Sequence, residues 1–107
     1  MKKRKTPENI FQIVKDKDLI NMLVGRTGGK TTMRILDKII QKPYNKHQLS
    51  RILKLDYNTI SYHIDILCKY NYATEEKFES NYFYSPTNKL FNNIEEYNLI
   101  KEFLNKK

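Results

Sequence analysis

Asn58, Ser61, Tyr62, Asp65 and Lys69 recur at one-, three- and four-residue steps, so on a helix they share one face. These side chains hydrogen-bond, and none of them forms an activated nucleophile pair. The chemistry open to them is recognition: an Asn amide pairs with adenine through two bonds, a carboxylate accepts from cytosine N4, and a tyrosine meets a thymine methyl or a phosphate. Tyr57, Asn58, Ser61, Tyr62 and Asp65 are therefore the candidates for reading base edges in double-stranded DNA. Ile60, Ile64 and Leu67 fall on the opposite face and would hold the helix to a core.

That face needs an element to present it. Asn45 with Gln48 three residues on has capping-box spacing, and Leu49, Ile52 and Leu53 follow as an apolar side. Asp56 then restarts the pattern, placed to accept from the free N–H groups of Asn58 or Thr59. The spacing predicts helices over 46–53 and 57–70, a helix-turn-helix within 45–70. In such a pair the second helix enters the major groove.

Charge adds to this expectation. The net charge is +8, and residues 26–54 alone carry +7, with eight Lys or Arg against one acid. Arg26, Lys30, Arg34, Lys38, Lys42 and Lys46 recur every four residues, so Lys30 to Lys42 run along one side of any helix there. By itself such a stripe is a solvated helix face. Beside a helix-turn-helix it can meet phosphates, and Lys30, Arg34, Lys46, Arg51, Lys54 and Lys69 are the phosphate candidates.

Enzymatic and metal chemistry find little support. Gly25-Arg26-Thr27-Gly28-Gly29-Lys30-Thr31 suggests a phosphate loop, but three residues separate Gly25 from Gly29 where that loop requires four. Cys68, His47 and His63 are the whole soft-ligand inventory, short of the four ligands of a structural zinc site. Cys68 falls on the apolar side of its helix and reads as a small buried hydrophobe, and His63 reads as a hydrogen-bonded core histidine. No catalytic residue, no cofactor and no metal is expected. A lone cysteine excludes an internal disulfide and indicates a reducing compartment. No apolar run follows Met1-Lys2-Lys3-Arg4-Lys5, and none approaches a membrane span, so the expected location is cytoplasmic.

With 107 residues and only three Gly and three Pro, the composition fits one helix-rich domain over 1–107, with a basic tail at 1–7. Residues 8–24 read as one helix or two short ones with a turn at Lys15–Asp18. The only glycines cluster at 25–29 as a loop. Met33, Leu36, Ile39 and Ile40 form the stripe of a further helix that ends at Lys42-Pro43. Past residue 70 the period changes to alternation over 72–86, around a polar tip at Glu79-Ser80-Asn81, which predicts a β-hairpin. Its aromatic side chains could stack on unpaired bases, but alternation sends about half of them inward. Glu75, Glu76 and Glu79 weaken its hold on phosphate, so the wing meets DNA by its Ser80-Asn81 tip or not at all. The segment 92–105 is predicted as an amphipathic helix capped by Asn92.

Helices, a helix-turn-helix and a hairpin in this order predict an α+β, mainly α chain: a winged helix with a two-stranded wing and amphipathic terminal helices. From Gly28 to about Pro86 the sequence resembles the archaeal winged-helix transcriptional regulators of the ArsR-like kind. The matching segments are Gly28-Gly29-Lys30-Thr31 before Met33-Arg34-Ile35-Leu36, Pro43-Tyr44-Asn45 with Gln48-Leu49, Leu55-Asp56-Tyr57 with Thr59-Ile60, Tyr62-His63-Ile64-Asp65-Ile66-Leu67, and Tyr82-Phe83-Tyr84-Ser85. The resemblance implies sequence-specific DNA binding by the helix that begins at Tyr57, and a homodimer built from terminal helices. Ile10, Phe11, Val14, Ile20 and Leu23, with Ile94, Tyr97, Ile100, Phe103 and Leu104, are the expected dimer interface. Some relatives of this kind sense metals with thiol pairs, which this chain lacks. It also departs at three places: Lys54 stands at a turn position often held by Gly, Asn71-Tyr72 replaces a frequent Gly-Leu pair, and the wing is acidic. A winged helix that binds a protein instead of DNA is the alternative that an acidic wing and Asp65 would suit.

Overall fold

The computed structural model describes residues 10–106, so the basic tail predicted at 1–7 lies outside the described residues. The N-terminal stretch is two helical pieces, α1 (Ile10–Ile13) and α2 (Lys17–Leu19), and α2 runs on into a π-helical turn, Ile20–Val24. Asp16 separates them because its carboxylate accepts from the Asp18 N–H and starts α2 afresh. Next come α3 (Gly29–Gln41), α4 (Lys46–Leu53) and α5 (Tyr57–Lys69). The strands β1 (Ala73–Phe78) and β2 (Asn81–Pro86) then form an antiparallel hairpin, and α6 (Asn88–Asn92) and α7 (Ile94–Asn105) close the chain.

The core is built around α3, which packs against α5, the π-helical turn, β2 and α4. Contact from several sides widens its buried stripe. Thr32 and Ile35 join Met33, Leu36 and Ile39 inside, while Ile40 is only half-buried. Gly29 is required where α3 starts, since a Cβ there would stand 1.8 Å from the Leu23 carbonyl oxygen.

The helix-turn-helix follows from local chemistry. Asn45 and Gln48 form the reciprocal capping box, with Gln48 N–H to Asn45 Oδ1 at 2.8 Å and Asn45 N–H to Gln48 Oε1 at 2.9 Å. At the other end of α4, Lys54 turns the backbone left-handed (φ 59) and the Leu55 N–H returns to the Ser50 carbonyl, which closes the turn. The same device ends α5: Asn71 has φ 67, and the Tyr72 N–H bonds the Leu67 carbonyl at 2.9 Å. Neither left-handed position is held by glycine.

Two expectations need correction, and one pairing is added to them. The hairpin tip is Glu79-Ser80 alone, because Asn81 pairs with Phe78 as the first residue of β2. The helix expected over 92–105 begins at Ile94 behind Asn93, not Asn92, and the short α6 precedes it. A single residue, Tyr44, pairs with Tyr84 and extends the hairpin by one bridge that alternation in the sequence does not reveal.

The third correction concerns the dimer residues. Ile10, Val14, Leu23, Tyr97 and Ile100 lie in the core of this one chain, each 6% exposed or less. The terminal segments close on each other, α1 against α7, and α7 against the π-helical turn. Tyr97 anchors α7 to α3 by donating to the Asp37 carboxylate at 2.7 Å and standing 3.2 Å from the Met33 carbonyl, and Lys101 pairs with Asp37. The Glu96 carboxylate takes the Lys15 and Asp16 N–H groups, and the Tyr72 hydroxyl donates to Asp16. Ile20, Ile94, Phe103 and Leu104 are half-buried against the core, and of the ten only Phe11 is largely exposed.

Lys54→Gly should raise unfolding free energy by about 0.5–1 kcal/mol, the left-handed strain relieved less the entropy of an unfolded glycine. Gly29→Ala should lower it by about 3 kcal/mol, because the new methyl meets backbone that cannot rotate away. Urea unfolding of the two variants beside the parent measures both.

Candidate nucleic-acid interface

The outward face of α5 is set by its start and its back. Asp56 holds the first turn with both oxygens, one taking the Thr59 hydroxyl at 2.8 Å and the other the Asn58 N–H at 3.0 Å. The Thr59 hydroxyl first, then the Asn58 N–H, hold the Asp56 carboxyl below its ordinary range. Ile60, Ile64 and Leu67 bury the back of the helix against the core. Tyr57, Asn58, Tyr62, Asp65 and Lys69 are thereby left exposed, with Tyr62 at 59%.

Ser61 stands apart from that set. It is half-buried and takes the Lys46 ammonium at 2.8 Å. Lys46 is accordingly no outlying phosphate contact: its ammonium also lies within 6.0 Å of the Tyr57 ring and 5.7 Å of the Tyr84 ring, fastening α4 to α5 and the hairpin. The His47 and Tyr57 rings meet beside it, tilted by 32° with centroids 4.6 Å apart. These groups face Ser80, Asn81 and Tyr82 across an open cleft of about 310 Å³ between the hairpin and the N-terminal ends of α4 and α5.

The remaining basic candidates are solvent-facing. Lys30, Arg34, Arg51, Lys54 and Lys69 are all exposed, and Arg34 reaches the Leu53 carbonyl at 3.4 Å, so the basic side of α3 borders the turn between α4 and α5. Glu75, Glu76 and Glu79 are exposed on the hairpin, and Glu75 also accepts from the Tyr84 hydroxyl.

Arg26 does not continue that stripe. Its guanidinium turns inward, donating to the Met22 carbonyl at 2.7 Å and to Thr32 Oγ1 at 3.1 Å, and it lies 3.5 Å from His63 Nδ1. Thr32 Oγ1 is 2.7 Å from the same nitrogen. The Thr32 hydroxyl also stands 3.4 Å from the Gly28 carbonyl, so its own contacts do not set the direction of its bond to Nδ1; a guanidinium can only donate, and the Arg26 approach to Nδ1 matches a ring that carries its proton on Nε2. Burial, and secondarily the Arg26 charge, push the His63 imidazolium below its ordinary value of 6.5. Gly28, with φ +90, passes over the ring; a Cβ there would be 3.2 Å from Cε1. Sequence reading placed His63 in the core but missed Thr32 and the inward turn of Arg26, because the partners are 31 and 37 residues away.

Burial, then Glu75 and Asp65, push the Cys68 thiol up, away from the thiolate form. Among the described residues no three His, Cys, Asp or Glu gather to hold a metal ion, and no helix is long and apolar enough to cross a membrane. No protein-family model and no curated protein matches this chain.

Because the folded chain holds His63 less readily protonated than the unfolded chain does, its share of stability is whole above pH 6.5 and falls as acidity rises through the folded value. Denaturant unfolding between pH 7 and about pH 5 should show this loss, and His63→Gln should flatten it. Thr32→Val should cost about 1–3 kcal/mol at pH 7 by leaving the buried Nδ1 without its shortest partner.

Proposed function

We propose that this chain is a winged helix that binds double-stranded DNA through α5 and regulates transcription. The observation that carries the reading is the two-helix unit itself. A capped α4, a tight left-handed turn and an α5 with its apolar back buried leave Asn58, Tyr62 and Asp65 exposed together, as a helix in a major groove requires. In this reading Asn58, Tyr62 and Asp65 meet base edges, Tyr57 borders the cleft to the wing, and Ser61 helps to seat α4. Lys30, Arg34, Arg51, Lys54 and Lys69 meet phosphates, and the one-residue bridge of Tyr44 to Tyr84 is the reduced third strand of the wing's sheet. The protein acts as a binding module in the cytoplasm.

A second copy is not needed to cover the terminal helices, so dimerisation in this proposal rests on Phe11 and the half-buried Ile20, Ile94, Phe103 and Leu104. Light scattering at tens of micromolar distinguishes the two states. The exposed acids of the wing favour the alternative partner, a basic protein surface, and the DNA experiment separates the readings.

Selection of a preferred site from random duplex DNA, followed by titration at several salt concentrations, tests the proposal. Lys30→Ala or Arg51→Ala should weaken selected and random DNA alike and flatten the log–log salt slope by about 0.9 for each phosphate the variant no longer neutralises. Asn58→Ala should instead lower affinity for the selected site by roughly 1–3 kcal/mol and spare random DNA. Recovery of no preferred sequence, with a salt-independent affinity, would refute DNA reading and leave the protein-binding alternative.

A further inference from the structure

We propose that Arg26 is a positioning residue for sequence readout, holding the Tyr62 ring on the outer face of α5 from a network anchored in three other places. The inference rests on the reading of α5 as the DNA-reading helix.

The geometry is specific. The Arg26 guanidinium carbon lies 5.8 Å from the centroid of the Tyr62 ring, within the range of cation–π attraction. The guanidinium is itself fixed by the Met22 carbonyl in the π-helical turn, by Thr32 on α3 and by its approach to His63 on α5. A planar fork held at several points cannot follow a wandering ring, so the ring settles against the fork. Tyr62 also meets the His63 ring edge-on at 5.1 Å, and His63 is clamped from behind by the Thr32 hydroxyl at 2.7 Å. The 59%-exposed Tyr62 thus has both of its fixed neighbours in one network.

This network stiffens a side chain that would otherwise sample several rotamers on the surface. A reading group held in one orientation loses less entropy on binding and discriminates better between bases. Lysine would keep the charge but not the fork that spans the Met22 carbonyl and Thr32 while facing Tyr62.

The test compares affinity for a selected duplex with affinity for random duplex in the full chain. Arg26→Lys should cut the ratio of the two about tenfold, the scale of one base contact, while leaving the salt slope unchanged because the charge remains. Thr32→Val should lower the ratio as well, and Thr32→Ser, which restores the hydroxyl, should keep it. In a Tyr62→Ala background Arg26→Lys should have no further effect, since the group it positions is gone. Thermal melts set the working temperature well below each variant's transition, so a variant that is merely less stable is still measured folded. An unchanged ratio in Arg26→Lys, or an equal drop with Tyr62 absent, overturns the positioning role and leaves α5 as the reading helix. A parent protein that prefers no sequence overturns the reading of α5, and the positioning role with it.

Discussion

The packing of α3 against α5 is the contact on which the rest of the structure depends. Both helices turn apolar residues into one core, Ile35, Leu36 and Ile39 from α3 and Ile60, Ile64 and Leu67 from α5. At one end the contact is polar, where Thr32 meets His63. The apolar part supplies attraction without direction, since burial of hydrocarbon does not distinguish small rotations of one helix on another. The hydrogen-bonded end supplies the direction: buried polar groups must find their partners, and only one rotation of α5 brings His63 Nδ1 to the Thr32 hydroxyl. The exposed face of α5 is set by the same rotation.

Around this contact the basic residues divide by role. Arg34 stays at the surface and borders the turn after α4, whereas Arg26 and Lys46 are drawn inward to bind carbonyl, hydroxyl and aromatic partners. A cation at the surface acts on a distant phosphate through a screened field. One that is half-buried and hydrogen-bonded acts on its neighbours by holding them in place. The +7 of residues 26–54 therefore overstates what a polyanion would meet, because Arg26 and Lys46 are engaged by the fold.

The terminal segments have a related logic. The apolar stripes of α1, α2 and α7 suggest a surface in need of a second chain when each is read alone. Folded, they cover one another and α3, with Tyr97 carrying its hydroxyl into the core to meet Asp37. Burial of that hydroxyl, with Asp37 accepting from it, pushes the Tyr97 ionisation far up, so the phenol keeps the proton it donates at neutral and mildly alkaline pH.

The helix-turn-helix was legible in the sequence because its signals are local. Asn45 with Gln48, Asp56 with Asn58, and apolar residues at three- and four-residue spacing act within a turn or two of the backbone, and the helices begin where those residues stand. The hairpin was legible from its polar tip between aromatic-rich flanks, although β1 is exposed at every position past Ala73 and so does not alternate, and the tip shifted by one residue when Asn81 found Phe78. Other features had no local signature. The closure of α7 over α3 joins residues 60 and more positions apart, the turn of Lys46 toward Ser61 spans 15, and the Arg26–Thr32–His63 network spans 37. Composition and periodicity determined which residues leave water and which helices they form. Only the tertiary structure decided which buried polar group meets which, because that choice is made by side chains that the chain brings together after its local elements exist.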